Sequence, residues 1–259
     1  MLVLLSPAMR MKRTGAPLDL DLTTPYFLDE SIALAQQVKS LEFDELAALL
    51  KVSGDAAAQF YLLWQDFELS TEVNQAALSA SALSFDGIAF KHLKACDWRK
   101  TDWLYAQDHL RIASGLYGLL RPLDGVQAYR LEMQTRLKTH QAKNLFAFWS
   151  TRLVERVFEE CDGYILNLLS HEYAKALLSG KSHHSSIIEA DFKILGKNGY
   201  YTQSTWAKIA RGSMASFVLQ NQIINPHDLR EYRQYGFTYS PEMSSENIYV
   251  FSSDAPYLE

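Results

Sequence analysis

The chain has 259 residues, 48% hydrophobic and 21% charged, with a formal net charge of −5. That composition is enough for a substantial buried core and excludes a disordered polyelectrolyte, while the acidic total excludes a protein that binds nucleic acid with its whole surface. Two cysteines, Cys96 and Cys161, without CxxC spacing supply neither a disulfide framework nor a zinc signature, so both are expected as reduced cytosolic thiols.

The opening run Leu2–Leu5, stopped by Ser6-Pro7, reads as a short buried strand. It is too short for a signal-peptide core, and no apolar run elsewhere approaches the roughly 20 residues that cross a bilayer, so a cytoplasmic protein with no membrane partner is expected. A loop with Arg10, Lys12, Arg13 and Gly15 follows, and Thr24-Pro25, a hydroxyl cap with proline at the first helical position, predicts a helix to about residue 39. Residues 43–50 and 56–67 form two helical patterns around a turn containing Gly54. They suit a helix-hairpin-helix, whose backbone amides can receive DNA phosphates, or an ordinary antiparallel pair; Asp44, Glu45 and Asp55 would repel a phosphate there.

Thr101-Asp102 predicts the start of a helix running to about residue 116, with Trp103, Ala106, Leu110 and Ala113 on one face and Arg111 on another. Residues 114–132 form a turn-rich segment that presents Arg121 and Arg130. Pro122 biases Arg121 toward extended backbone, Gly115, Gly118 and Gly125 permit turns, and Tyr117 and Tyr129 add stiff bodies with polar tips. Asn144 caps a predicted helix over 145–161, residues 164–168 read as a strand, and Ser170 begins a short helix. Strands over 186–195 and 200–205 meet through Asn198-Gly199, a hairpin signal. A helix over 207–222, another from Pro226, and a strand pair over 236–239 and 248–251 complete the chain. Strands at the beginning, middle and end, with helices inserted rather than in strict βαβ alternation, predict an α+β fold, one compact mixed domain over residues 1–259.

His183-His184 and His171-Glu172 are adjacent pairs that cannot easily face one ion, and no HExxH or CxxC spacing occurs, so no metal site or cofactor is expected. Dinucleotide, phosphate-loop and nucleophile-elbow fingerprints do not appear either. The charge, however, is uneven: residues 1–90 hold 5 Lys/Arg against 12 Asp/Glu, residues 91–156 hold 12 against 6, and residues 157–259 hold 8 against 12. A basic and polar constellation remains. Arg10, Arg111, Arg121, Arg130, Lys208 and Arg211 are candidate phosphate contacts, with Ser6, Tyr117, Asp124, Tyr129 and Glu132 lining a cleft. Asn167, Ser170, Glu172 and Tyr173 mark a strand-to-helix junction that, with Lys208, could build a catalytic pocket. Each residue also has a plainer role: Arg130 paired to Glu132 or Asp124 pins a loop, and Lys208 is solvated. One anionic ligand explains the cations most economically, so Arg121 and Arg130 are expected in one cleft with Lys208 or Arg211 nearby.

In order along the chain, these segments resemble the YaaA family of bacterial peroxide-stress proteins. The matching pieces are Ser6-Pro7-Ala8, residues 104–111, Leu120-Arg121-Pro122-Leu123-Asp124 and Tyr129-Arg130-Leu131-Glu132, then Phe148-Trp149, residues 167–172, residues 207–212 and Gly236-Phe237. The resemblance implies a compact α+β fold particular to the family, a helix-hairpin-helix element, a positive cleft and binding of double-stranded DNA or another phosphate-bearing ligand. It also implies a role in surviving hydrogen peroxide, linked to lower intracellular free iron. Two family lysines are replaced, one by Met9 and one by Asp86, and an aspartate beside phosphate subtracts a contact and adds a repulsion. An enzyme acting on a base, nucleoside or other small anionic substrate is the alternative.

Overall fold

In the computed structural model, which describes residues 1–179 and 187–257, the chain begins with β1 (Leu2–Leu5), α1 (Leu28–Lys39), α2 (Phe43–Leu50) and α3 (Gly54–Gln65). Then come β2 (Ser79–Ala80), α4 (Ser81–Ser84), α5 (Ile88–Leu93), α6 (Lys100–His109), β3 (Leu110–Ser114), β4 (Gly118–Leu120) and β5 (Gly125–Val126). The rest is α7 (Leu145–Glu159), β6 (Ile165–Leu168), α8 (His171–Leu177), β7 (Ile187–Gly196), β8 (Gly199–Tyr201), α9 (Ser204–Gln220), β9 (Thr238–Tyr239) and β10 (Ile248–Ser253).

The main sheet has the order β4-β3-β1-β6-β7-β10-β9, with β8 added to β7; β2 and β5 pair separately. Four successive apolar residues leave β1 no polar face, and it lies in the sheet interior, Val3 opposite Leu110 on one side and Leu166 on the other. The pairs β1–β3, β1–β6, β6–β7 and β7–β10 are parallel, whereas β4, β8 and β9 attach antiparallel. The fold is thus α+β with a mixed sheet, as expected, but its centre is parallel. Long helical insertions between β1, β3 and β6 hide that relation from a linear reading. Every residue of β1, β3 and β6 is buried, so both faces of the sheet centre are covered.

Several boundaries differ from the sequence expectation. α1 starts at Leu28 rather than at Pro25. The helix predicted to residue 116 stops at His109, and Leu110–Ser114 becomes β3, because pairing with β1 outweighs the local helical periodicity. Its start is set by Asp102, whose Oδ2 accepts the Arg99 backbone N–H at 2.9 Å. β8 ends at Tyr201, since the Gln203 side chain already accepts from the Trp206 amide and opens α9. The Asn144 cap is present, its Oδ1 accepting from Ala147 N at 2.8 Å. His183, His184 and Ser186 lie outside the described residues. Between α2 and α3 the chain direction turns by 109°, with Lys51 in a left-handed conformation at φ 54°.

Candidate anion-binding cleft

β1 and β6 are neighbours and run parallel, yet the sheet grows from them in opposite directions, through β3 on one side and through β7 and β10 on the other. The loops leaving their C-terminal ends therefore part, and such a switch point opens the crevice in which open parallel sheets hold ligands. Ser6 after β1 and Ser170 after β6 tie the two loops together: Ser6 Oγ accepts the Ser170 backbone N–H at 2.8 Å. A cavity of about 340 Å³ lies here, lined by Ser6, Met9 and Arg10 from the first loop and by Ser170 and Tyr173 from the second. Asp86, α5, and the α9 residues Lys208 and Arg211 close it.

Lys208 and Arg211 are three residues apart, one above the other on α9. Neither forms a salt bridge among the described residues, and the buried Nε of Arg211 has no hydrogen-bond partner. Burial lowers the Arg211 pKa, partly offset by attraction from Asp191 and Glu189, but an arginine starts so high that it stays charged. A guanidinium in a cavity wall with no ion pair in contact and a buried, unbonded Nε favours an anion arriving from the cavity. Arg10 at the rim meets Asp86 at 3.5 Å, and the Asp86 amide donates to the Arg10 carbonyl at 2.8 Å. Met9 stands beside them, 60% exposed. Thus Met9 and Asp86, where the resemblance implies lysines, both border this cavity, and Asp86 occupies part of the charge of Arg10.

The walls meet at backbone level. A Cβ built on Gly212 would lie 1.9 Å from the Ala89 carbonyl oxygen, and one on Gly87 would lie 2.6 Å from the Ala8 Cβ. α9, α5 and the loop after β1 can approach this closely only because both positions are glycine.

A second cavity of about 210 Å³ shares Pro7, Ala8, Met9, Tyr173 and Lys208 with the first and adds Arg130, Glu132 and Glu172. Glu172 Oε1 accepts the Gln134 backbone N–H at 2.8 Å. Burial raises the Glu172 pKa, the Gln134 bond opposes that, and the neighbouring Glu132 carboxylate adds to it. Arg130 sits 3.8 Å from Glu132 and 4.7 Å above the Phe60 ring of α3, with a buried and unbonded Nε. Burial holds the Tyr173 and Tyr129 phenols protonated, well above their ordinary range. The Tyr129 hydroxyl lies 2.6 Å from Ser114 Oγ and anchors the turn rather than offering chemistry.

Arg121 does not share this site, contrary to expectation. It lines a separate crevice with Tyr26, Arg111, Arg156 and Glu160. Its Nε and Nη2 donate to Asp124 Oδ1 at 3.1 and 2.8 Å, and Nη2 also reaches the Thr24 carbonyl at 2.8 Å. Asp124, 1% exposed, further accepts from the Arg121 amide at 2.7 Å and the Thr23 hydroxyl at 2.6 Å. Burial raises the Asp124 pKa, and these donors pull it back. Arg-Pro-Leu-Asp is therefore a self-closing turn. Arg111 is buried, paired with Glu160, and its Nη1 donates to the Gln107 and Leu110 carbonyls at 2.8 Å each, so its place on β3 keeps it from a phosphate. Tyr117 faces another hollow beside Thr23, its hydroxyl accepting from Gln127 N at 3.1 Å. Asn167 is buried in β6 and shapes the turn into α8, Oδ1 accepting from Leu169 N at 3.0 Å.

Sequence reasoning did not single out Gln134, which orients Glu172, or Phe60, which carries Arg130. Neither belongs to a motif. Among the described residues no group of three His, Cys, Asp or Glu is placed to hold a metal ion, and no single helix is long and apolar enough to cross a membrane.

The family model described as peroxide stress protein YaaA matches residues 1–243. A UPF0246 protein of Clostridium perfringens strain SM101 is 33% identical over 258 residues, covering 98% of this chain and 100% of the relative. A UPF0246 protein of Agathobacter rectalis is 33% identical over 254 residues, covering 97% and 98%. With its switch-point cleft assembled from the segments 6–10, 167–173 and 207–212, the chain belongs to the YaaA family of peroxide stress proteins.

Proposed function

We propose that this protein serves peroxide-stress protection in the cytoplasm by binding a phosphate-bearing ligand, DNA foremost, in the cleft at the ends of β1 and β6. The observation that carries the reading is Arg211, a guanidinium in the cavity wall with a buried, unbonded Nε and no salt bridge among the described residues, with Lys208 one turn away. Arg10 and Arg130 extend the cationic surface along the rim. Arg130 on Phe60 connects it to α3, where the α2–α3 pair would lay its backbone amides against a DNA strand. The family's link to lower free iron is then an indirect effect of the bound ligand. Titration of labelled duplex DNA at two salt concentrations tests the proposal. Affinity should fall steeply with salt, and Arg211→Ala should flatten that slope by about one counterion. Duplex that fails to bind even at low salt would remove DNA as the ligand.

A second reading is favoured by the cavity itself. Its volume of about 340 Å³ suits one small molecule rather than a duplex, and the Ser6–Ser170–Tyr173 wall suits an enzyme acting on a base, nucleoside or other small anionic substrate, with Lys208, and Glu172 of the adjoining cavity, for proton transfer. Binding of a small phosphate ester with weak dependence on salt would favour it.

A further inference from the structure

We propose that the two joined cavities form one bipartite nucleotide site, with phosphate on Arg10, Lys208 and Arg211 and the base's hydrogen-bond-donating edge on Glu132 and Glu172. This deepens the anion-site reading above and rests on it. The cavities adjoin across Met9, Tyr173 and Lys208, within reach of one ligand that spans them, and their volumes of about 340 and 210 Å³ together fall in the ordinary range for small-ligand pockets. One end is cationic and the other presents two carboxylates, which matches a molecule that is an anion at one end and an N–H donor at the other.

Glu172 is already oriented. Its Oε1 is held by the Gln134 amide, which leaves the second oxygen as an acceptor beside the carboxylate of Glu132. Among the described residues Glu132 pairs with Arg130 at 3.8 Å, beyond hydrogen-bond length. Two carboxylates lining one cavity repel each other unless a proton or donor comes between them. Guanine presents adjacent N1–H and N2–H donors on its pairing edge and satisfies that arrangement. Uracil and thymine present one N–H between two carbonyl acceptors, which the carboxylates repel. The ligand class is therefore a guanine-type nucleotide, supplied free or as an unpaired residue of DNA.

Calorimetric titration with GMP, UMP and inorganic phosphate tests the assignment, with the same comparison on a DNA duplex carrying one unpaired guanine or one unpaired thymine. Guanine should be preferred over the pyrimidine by roughly tenfold or more, the range of a good bidentate base contact. The arm in which the preference appears identifies the source. Glu172→Gln keeps an oxygen for Gln134 but turns a donor toward the base, so it should abolish the preference while binding persists; Glu132→Gln should reduce it. Arg211→Ala should weaken all ligands alike, and thermal melts establish that each variant is folded. Equal binding of guanine and pyrimidine ligands in both arms, still sensitive to Arg211, overturns this inference and leaves the anion site standing. Absence of binding by every phosphate ligand overturns both.

Discussion

Two arginine-rich regions of this molecule have opposite electrostatic character. Around Arg121, every guanidinium has a carboxylate partner, though the Arg156 Nε stays unbonded: Asp124 takes Arg121, and Glu160 takes Arg111 and Arg156. Around Arg211, the described residues form one ion pair, Asp86 with Arg10, while Lys208 and Arg211 form none and Asp191 and Glu189 act on Arg211 from beyond contact. The first region spends its charge on holding β3, α7 and the Arg121–Asp124 turn together. The second keeps its charge for something that arrives from outside. An arginine's presence in a distinctive motif is therefore poor guidance to its task; the pairing around it decides.

The sharpest way to break this comparison is to remove the carboxylate that answers two arginines. Glu160→Ala leaves Arg111 buried without its partner and should destabilise the fold by about 3–5 kcal/mol, as uncompensated buried charge does, measured by urea denaturation. Retention of parental stability would show that the paired region is dispensable. In the other region the effect should be reversed in kind. Arg211→Ala should leave stability nearly unchanged while weakening phosphate-ester or DNA binding by about 10–100-fold, the value of a charged hydrogen bond.

Asp86→Lys sharpens the contrast at the cleft itself. It frees Arg10 and adds a cation, so DNA affinity should rise several-fold, with the salt dependence steeper by about one phosphate contact. No change in a folded variant would place residue 86 outside the bound surface. The smallest effect concerns Glu172, whose pKa is raised. A carboxyl held protonated more tightly in the folded state favours folding at low pH and loses that contribution as pH rises through its folded pKa. Because Glu172 is only half-buried and solvent screens its charge, Glu172→Gln should raise the melting temperature at neutral pH only slightly. The gain should vanish below about pH 4, under the ordinary glutamate pKa. A gain independent of pH would assign it to packing.

Much of the architecture was legible because short-range rules operate there. The apolar run of β1, the Asn144 cap, the hairpin at Gly199 and the start of α8 after Ser170 are local decisions. β3 was not legible, since Leu110–Ser114 extends a helical pattern and becomes strand only through β1, more than a hundred residues away. The site divided along the same line. Ser6, Ser170, Tyr173, Lys208, Arg211 and Arg130 meet as expected, whereas Arg121 and Arg111 do not. Arg121 and Asp124, three residues apart, already spelled a self-contained pair; the buried fate of Arg111 depended on the register of β3.

The glycine contacts at Gly212–Ala89 and Gly87–Ala8 carry a consequence for how ligands are received. Because α9 meets α5 at backbone level and the Ala8 methyl seats against Gly87, the spacing between Arg211 and the rim is set when the chain folds, not when a ligand enters. Such a cavity spends little ordering entropy on capture and discriminates by length, as a gauge does. Across a series of phosphate esters of increasing reach, affinity should pass through one narrow optimum, and Gly212→Ala, by forcing the helices apart, should move that optimum toward longer molecules.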